Sequence, residues 1–148
     1  MIISIISNLV SGMTSGTDTF TFGFGAEYFA NLDLDEAIFP VVYLDQPIPI
    51  DFEAHQSGFI AEEYPITLFF MYKSELDYTP TQHDVNCIQP ARLAVRQFIS
   101  VCQASELIDS IDVNGQALEF FNLLDVNVSG ISIPLNIKPS INASVCIQ

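Results

Sequence analysis

Near the middle of the chain, Tyr64-Pro65-Ile66-Thr67-Leu68-Phe69-Phe70-Met71-Tyr72 is apolar at odd and even positions alike. A strand with one wet face alternates apolar and polar side chains; a segment apolar on both faces is suited to burial on both. The run is far shorter than the roughly 18 apolar residues that span a bilayer. It predicts the central, doubly covered strand of a sheet, around which the rest of the chain must be arranged.

The flanking periodicities supply the other elements. Ile2, Ile5, Ile6, Leu9 and Met13 recur at helical spacing, with Ser4, Ser7 and Asn8 between them, and Ser11 to Gly16 ends the pattern. This predicts a short amphipathic helix. In residues 19–25, Phe20, Phe22 and Phe24 point one way and Thr19, Thr21, Gly23 and Gly25 the other, as in a strand with an aromatic face. The acidic segment 32–36 reads as a turn. Residues 38–44 read as a further strand, with Pro40 at its start or on an edge, because proline has no ladder donor. Residues 45–63, with Pro47, Pro49, Gly58 and five acids, read as a long loop.

After the central strand, Thr79-Pro80-Thr81-Gln82 fits a capping box with proline at the first helical position. A helix should run from Pro80 to about Ala104, with Ile88, Ala91, Val95, Phe98 and Cys102 as its apolar stripe. Pro90 removes the bond to the Asn86 carbonyl, so a kink is expected there. Asn114-Gly115 marks a turn within 106–116. Leu118 to Leu124 and Ile131 to Ile137 read as strands, the last an edge strand because it alternates and contains Pro134. The tail, 139–148, reads as extended. The order predicts a single α+β domain over residues 1–148: a mixed or antiparallel sheet of about five strands, with a short N-terminal helix and one long, proline-kinked helix packed on it.

Charge narrows the function. Eighteen acids oppose four bases, Lys73, Arg92, Arg96 and Lys138, for a net charge of −14, and no base precedes residue 73. Phosphate neutralisation needs clustered Lys and Arg, so a nucleic-acid footprint is absent, and an anionic membrane would repel the chain. The acids form either a solvating surface or one that avoids DNA or meets a basic partner. Met1 to Val10 lacks a basic n-region and makes a poor signal peptide. Three cysteines without a spacing pattern point to reduced thiols and an intracellular origin. On one helix, Cys87 and Cys102 would lie roughly 22 Å apart and could not bridge. Sequons at Asn127 and Asn142 read as chance matches.

Catalytic and cofactor signatures are missing from the sequence. Gly23-Phe24-Gly25 lacks the third glycine of a dinucleotide loop, since Tyr28 stands in its place. His83 and Cys87 share a helical face, but two ligands do not make a metal site. No nucleophile elbow occurs, and eighteen acids yield close carboxylate pairs without implying catalysis. The expectation is a protein that is not an enzyme and has no cofactor. Arg92 and Arg96, one turn apart and off the apolar stripe, have two readings: they pair with acids of their own chain, or they bind an acidic face of a neighbouring copy.

Taken together, the opening helix Ile2–Val10, the strand Tyr64-Pro65-Ile66-Thr67-Leu68-Phe69-Phe70, the capped helix Thr79–Ala104 and the closing run Asp125-Val126-Asn127-Val128-Ser129-Gly130-Ile131-Ser132-Ile133 resemble the tail terminator proteins of long-tailed bacteriophages and their relatives in prophage and injection-type tails. The resemblance covers most of the chain by element order, leaving the 45–63 loop and the 139–148 tail aside. It implies a structural virion protein, assembled in the bacterial cytoplasm, whose hexameric ring caps the tail tube, joins neck or connector proteins and lets DNA through without specific binding. On that reading Arg92 and Arg96, with the edge carrying Ile131 and Ile133, are candidate subunit contacts. Asp51, Glu53, Glu62 and Glu63 are candidate acids facing a lumen or a partner. Head-completion and connector subunits share much of this outline. Two other classes compete: an acidic module that recognises a basic protein, and an enzyme with an unrecognised carboxylate site.

Overall fold

The computed structural model describes residues 2–25, 38–58, 60–123 and 127–140. The acidic turn expected at 32–36, Leu124 to Val126, Asn142 and Cys146 lie outside them. Among the described residues the fold is α+β, with a short N-terminal helix, one long joined helix and a mixed sheet of seven strands rather than about five.

Helix α1, Ile2–Ser11, buries Ile2, Ile5, Ile6, Leu9 and Val10. Each such side chain contributes about 1.5–3 kcal/mol relative to exposure, so packing rather than helix propensity holds this short element. The strands β1, Thr14–Ser15, and β2, Asp18–Thr19, form a separate small hairpin. Strand β3, Thr21–Phe24, follows and runs parallel to β4, Val41–Leu44. Pro40 immediately precedes β4, where its missing donor costs no ladder bond, and its carbonyl accepts from Thr21 N at 3.0 Å.

Strand β5, Asp51–Ala54, pairs antiparallel with the start of β6, Ile60–Lys73. The 45–63 segment is therefore not a loop throughout: its second half is a β-hairpin that extends the central strand. Gly58 closes its turn with φ +84°, a conformation glycine adopts without strain, and its N–H bonds the His55 carbonyl at 3.0 Å.

Helix α2 starts as Pro80–His83, passes through a π-helical stretch, Asp84–Ile88, and continues as Gln89–Ala104. The capping box forms in full, with Thr79 N–H donating to Gln82 Oε1 and Gln82 N–H to Thr79 Oγ1. The expected proline kink takes the form of this widened turn: Gln89 N–H reaches back to the Asp84 carbonyl just before Pro90. Widening moves the preceding carbonyls away from the proline ring, with which they would otherwise clash.

Strands β7, Ile108–Val113, and β8, Leu118–Leu123, both pair antiparallel with β9, Val128–Pro139, on the side away from β6. This corrects the expectation for the last strand, which is central and not an edge. Pro134 explains both the error and the outcome. Its carbonyl accepts from Asn114 N–H at 2.9 Å, so its missing donor also faces the β7–β8 side. At that position the flanking strand breaks, between Val113 and Leu118, and Gly115 lies close over the proline ring. Asn114-Gly115 thus joins two collinear strands rather than turning a hairpin.

The register assigns faces. Tyr64, Ile66, Leu68 and Phe70 of β6 stand opposite Ile137, Leu135, Ile133 and Ile131 of β9, and all are buried in the main core beneath the helices with Phe98 and Cys102. On the other face, Val41, Tyr43, Met71 and Val128 form a smaller cluster, with Phe39, Phe69 and Phe120 packed against it. Pro65 and Thr67 there are only half-buried, so the double cover expected of the central strand is complete on the helical side alone. Gly130 lets β6 and β9 approach closely, because a Cβ at that position would collide with the Phe70 carbonyl. Cys87 and Cys102 are buried free thiols, and burial pushes them up to about 11 and about 12.

Candidate subunit interface

Arg92 and Arg96 project from the outer side of α2, both exposed. Beneath them runs β8, whose Glu119 pairs opposite Ile131 and therefore points toward the helix. Arg92 Nη2 meets Glu119 Oε1 at 2.6 Å, with the two side chains 59% and 41% exposed. A pair this open contributes about 0–1 kcal/mol and is readily exchanged for another partner. Among the described residues no acid pairs with Arg96. The two readings of these arginines therefore divide: Arg92 has an acid of its own chain, and Arg96 has none among the described residues.

Between α2 and β8 lies a groove of about 290 Å³, lined by Arg92, Val95, Arg96, Leu118, Glu119 and Ile131. Three of the four residues named as subunit contacts meet here: the arginines at the rim and Ile131 at the floor. Ile131 is only 5% exposed, so it shapes the groove rather than covering it. Ile133 is not part of the site, because it is buried in the core opposite Leu68. The edge assigned to β9 belongs instead to β8, which pairs with β9 alone among the described strands and leaves its outer backbone unpaired. Leu93, Leu118 and Phe121 stand exposed around it. Exposed phenylalanine beside arginine is a pairing enriched at interface centres relative to ordinary wet surface.

The four acids lie at the other margin of the sheet, on the β5–β6 hairpin. Asp51 stands opposite Glu63 and Glu53 opposite Ala61, on the sheet face away from the helices. Glu62 is on the helical face, opposite Phe52, and accepts a hydrogen bond from Tyr64 Oη at 2.7 Å. Burial, then this bond and the Glu62 charge, push the Tyr64 phenol up to about 12. Among the described residues no lysine or arginine pairs with any of the four. Directly opposed like charges destabilise a strand pair, so the hairpin in isolation carries electrostatic strain at Asp51 and Glu63.

His83 does not turn toward Cys87. Its Nδ1 lies 3.4 Å from Ser129 Oγ and its Nε2 3.4 Å from Asn122 Nδ2, with its ring between Tyr78 and Phe121. Ser129 Oγ donates to Ser74 Oγ at 2.8 Å, and Ser74 Oγ is within 2.9 Å of Asn122 Oδ1 and of the Asn127 carbonyl. This buried network, which the sequence spacing does not reveal, ties the start of α2 to β6, β8 and β9. Cys87 Sγ approaches the Lys73 carbonyl instead, at 3.7 Å. Among the described residues no three His, Cys, Asp or Glu side chains come together as a metal site, and no helix is long and apolar enough to cross a membrane. No protein-family model matches the chain, and no curated protein matches it in sequence.

Proposed function

We propose that the chain is a structural subunit of a bacteriophage-like tail, a terminator-like protein whose copies form a ring, six in number by the resemblance, at the end of the tail tube next to the neck. The observation that carries this reading is the polarity of the sheet. One margin bears an arginine-rimmed apolar groove, the other an acidic hairpin whose acids pair with no lysine or arginine among the described residues. Two different, complementary edges on one subunit support head-to-tail contacts, which close into a ring when the rotation between neighbours divides a full turn. The net charge of −14 fits the same role: a ring of such subunits repels phosphate, so DNA slides through without sticking.

The test is the native mass and negative-stain image of the purified protein at physiological ionic strength, repeated at high salt to screen repulsion between subunits. A closed ring is expected. A monomer in both conditions would overturn the reading in favour of an acidic module that binds a basic protein.

A further inference from the structure

We infer that the occupant of the arginine groove is the β5–β6 hairpin of a second copy of this chain. The inference rests on the ring reading and deepens it by naming the two surfaces that meet. Three observations converge on this pairing. The groove has a cationic rim of which Arg96 finds no acid among the described residues, while Arg92 holds only an exposed one. The hairpin has a like-charge carboxylate pair, Asp51 opposite Glu63, with Glu53 beside it, and among the described residues no lysine or arginine pairs with them. The two lie at opposite margins of one sheet, β5 on the β4 side of β6 and β8 beyond β9, so neither serves the other within a subunit. Asp51, Glu53 and Glu63 share one face of the hairpin, opposite to that of Phe52, so it is this acidic face that meets the groove. Docking places Asp51 and Glu53 against Arg92 and Arg96 and relieves the like-charge strain of the hairpin.

Complementary charge reversal tests this. One variant carries Arg92→Glu and Arg96→Glu; a second carries Asp51→Lys and Glu53→Lys. All four side chains are exposed, so each variant should fold, checked by circular dichroism and cooperative unfolding. Each variant alone faces like charge with like at every contact and is expected to remain monomeric by native mass. An equal mixture restores opposite charges at every contact, and so does a single chain carrying all four changes. Both should recover the assembly of the unaltered protein, with at least a tenfold gain in assembled fraction over either variant alone. Rings that persist unchanged in both variants would overturn the hairpin-in-groove contact and leave the ring reading standing. Monomeric variants that the mixture and the combined chain fail to rescue would also overturn it. A monomeric unaltered protein would instead remove the ring reading itself.

Discussion

Residues 64–71 and residues 60–63 belong to one strand, β6, and differ in almost every neighbour. The first stretch pairs with β9 throughout and with β4 at its end, and its helix-side residues Tyr64, Ile66, Leu68 and Phe70 are buried. The second pairs only with β5, all four residues of which are exposed. Backbone pairing is the same kind of interaction in both stretches. What separates them is the apolar surface removed from water, so the first should carry the stability of the domain and the second should be available for contact. A two-stranded ribbon is at best marginally stable without a packed face. That such a ribbon projects here, with charges that oppose each other, is explained if its stabilising partner is another molecule.

The sharpest way to break this contrast is to truncate one phenylalanine in each stretch. Phe70 is fully buried and packs edge-on against Phe98, their ring centroids 6.0 Å apart. Phe70→Ala is expected to cost about 3–5 kcal/mol in denaturant unfolding, from lost transfer energy and an unfilled cavity. Phe52→Ala should stay within about 0.5 kcal/mol of the unaltered subunit, as exposed substitutions do. Equal losses of stability from the two would show that the hairpin belongs to the core after all.

Tyr64 sits at the junction, its ring in the core and its hydroxyl on Glu62 of the second stretch. Tyr64→Phe removes that bond and should cost about 0.5–1.5 kcal/mol at neutral pH. It should also change the alkaline limb of stability. The folded phenol is pushed up to about 12 from an ordinary value of 10. The unfolded chain therefore loses this proton first, and the stabilisation is complete below pH 10 and lost as pH rises toward 12. In the Phe variant that part of the decline should disappear, as read from unfolding curves across this range. An unchanged alkaline limb would place the phenol in a less buried setting.

The same division separates what the sequence discloses from what it conceals. The opening helix, the alternation of Phe20, Phe22 and Phe24, and the capping box at Thr79 are legible because each signal lies within a few residues of the element that it defines. The hairpin is not, because Asp51-Phe52-Glu53-Ala54 has too little apolar surface to mark a strand; pairing with residues 60–63 makes it one. Pro134 misleads for a related reason. A missing donor marks an edge only if the neighbouring strand would need it, and here the neighbour is interrupted at that position. The site shows both cases. Spacing alone brings Arg92 and Arg96 together on one helical face, but Glu119, Leu118 and the floor at Ile131 reach them only through the β8–β9 register.

The smallest effect expected is also the one whose sign is most informative. Asp51→Asn removes one charge from the pair that it forms with Glu63 across the hairpin. In the isolated subunit this should stabilise the fold by about 0.2–1 kcal/mol, the scale of a cross-strand like-charge contact. The gain should shrink as salt is added, because Asp51 is exposed and Glu63 only half-buried. In the assembly the same change removes a carboxylate that faces the arginine rim, so it should weaken association. Unfolding of the monomeric Arg92→Glu, Arg96→Glu background gives the first sign, and the native mass of the otherwise unaltered chain gives the second. Stabilisation in both would show that the acids of the hairpin serve only to keep the surface wet. Opposite signs follow if the strain in the lone subunit is relieved by its neighbour.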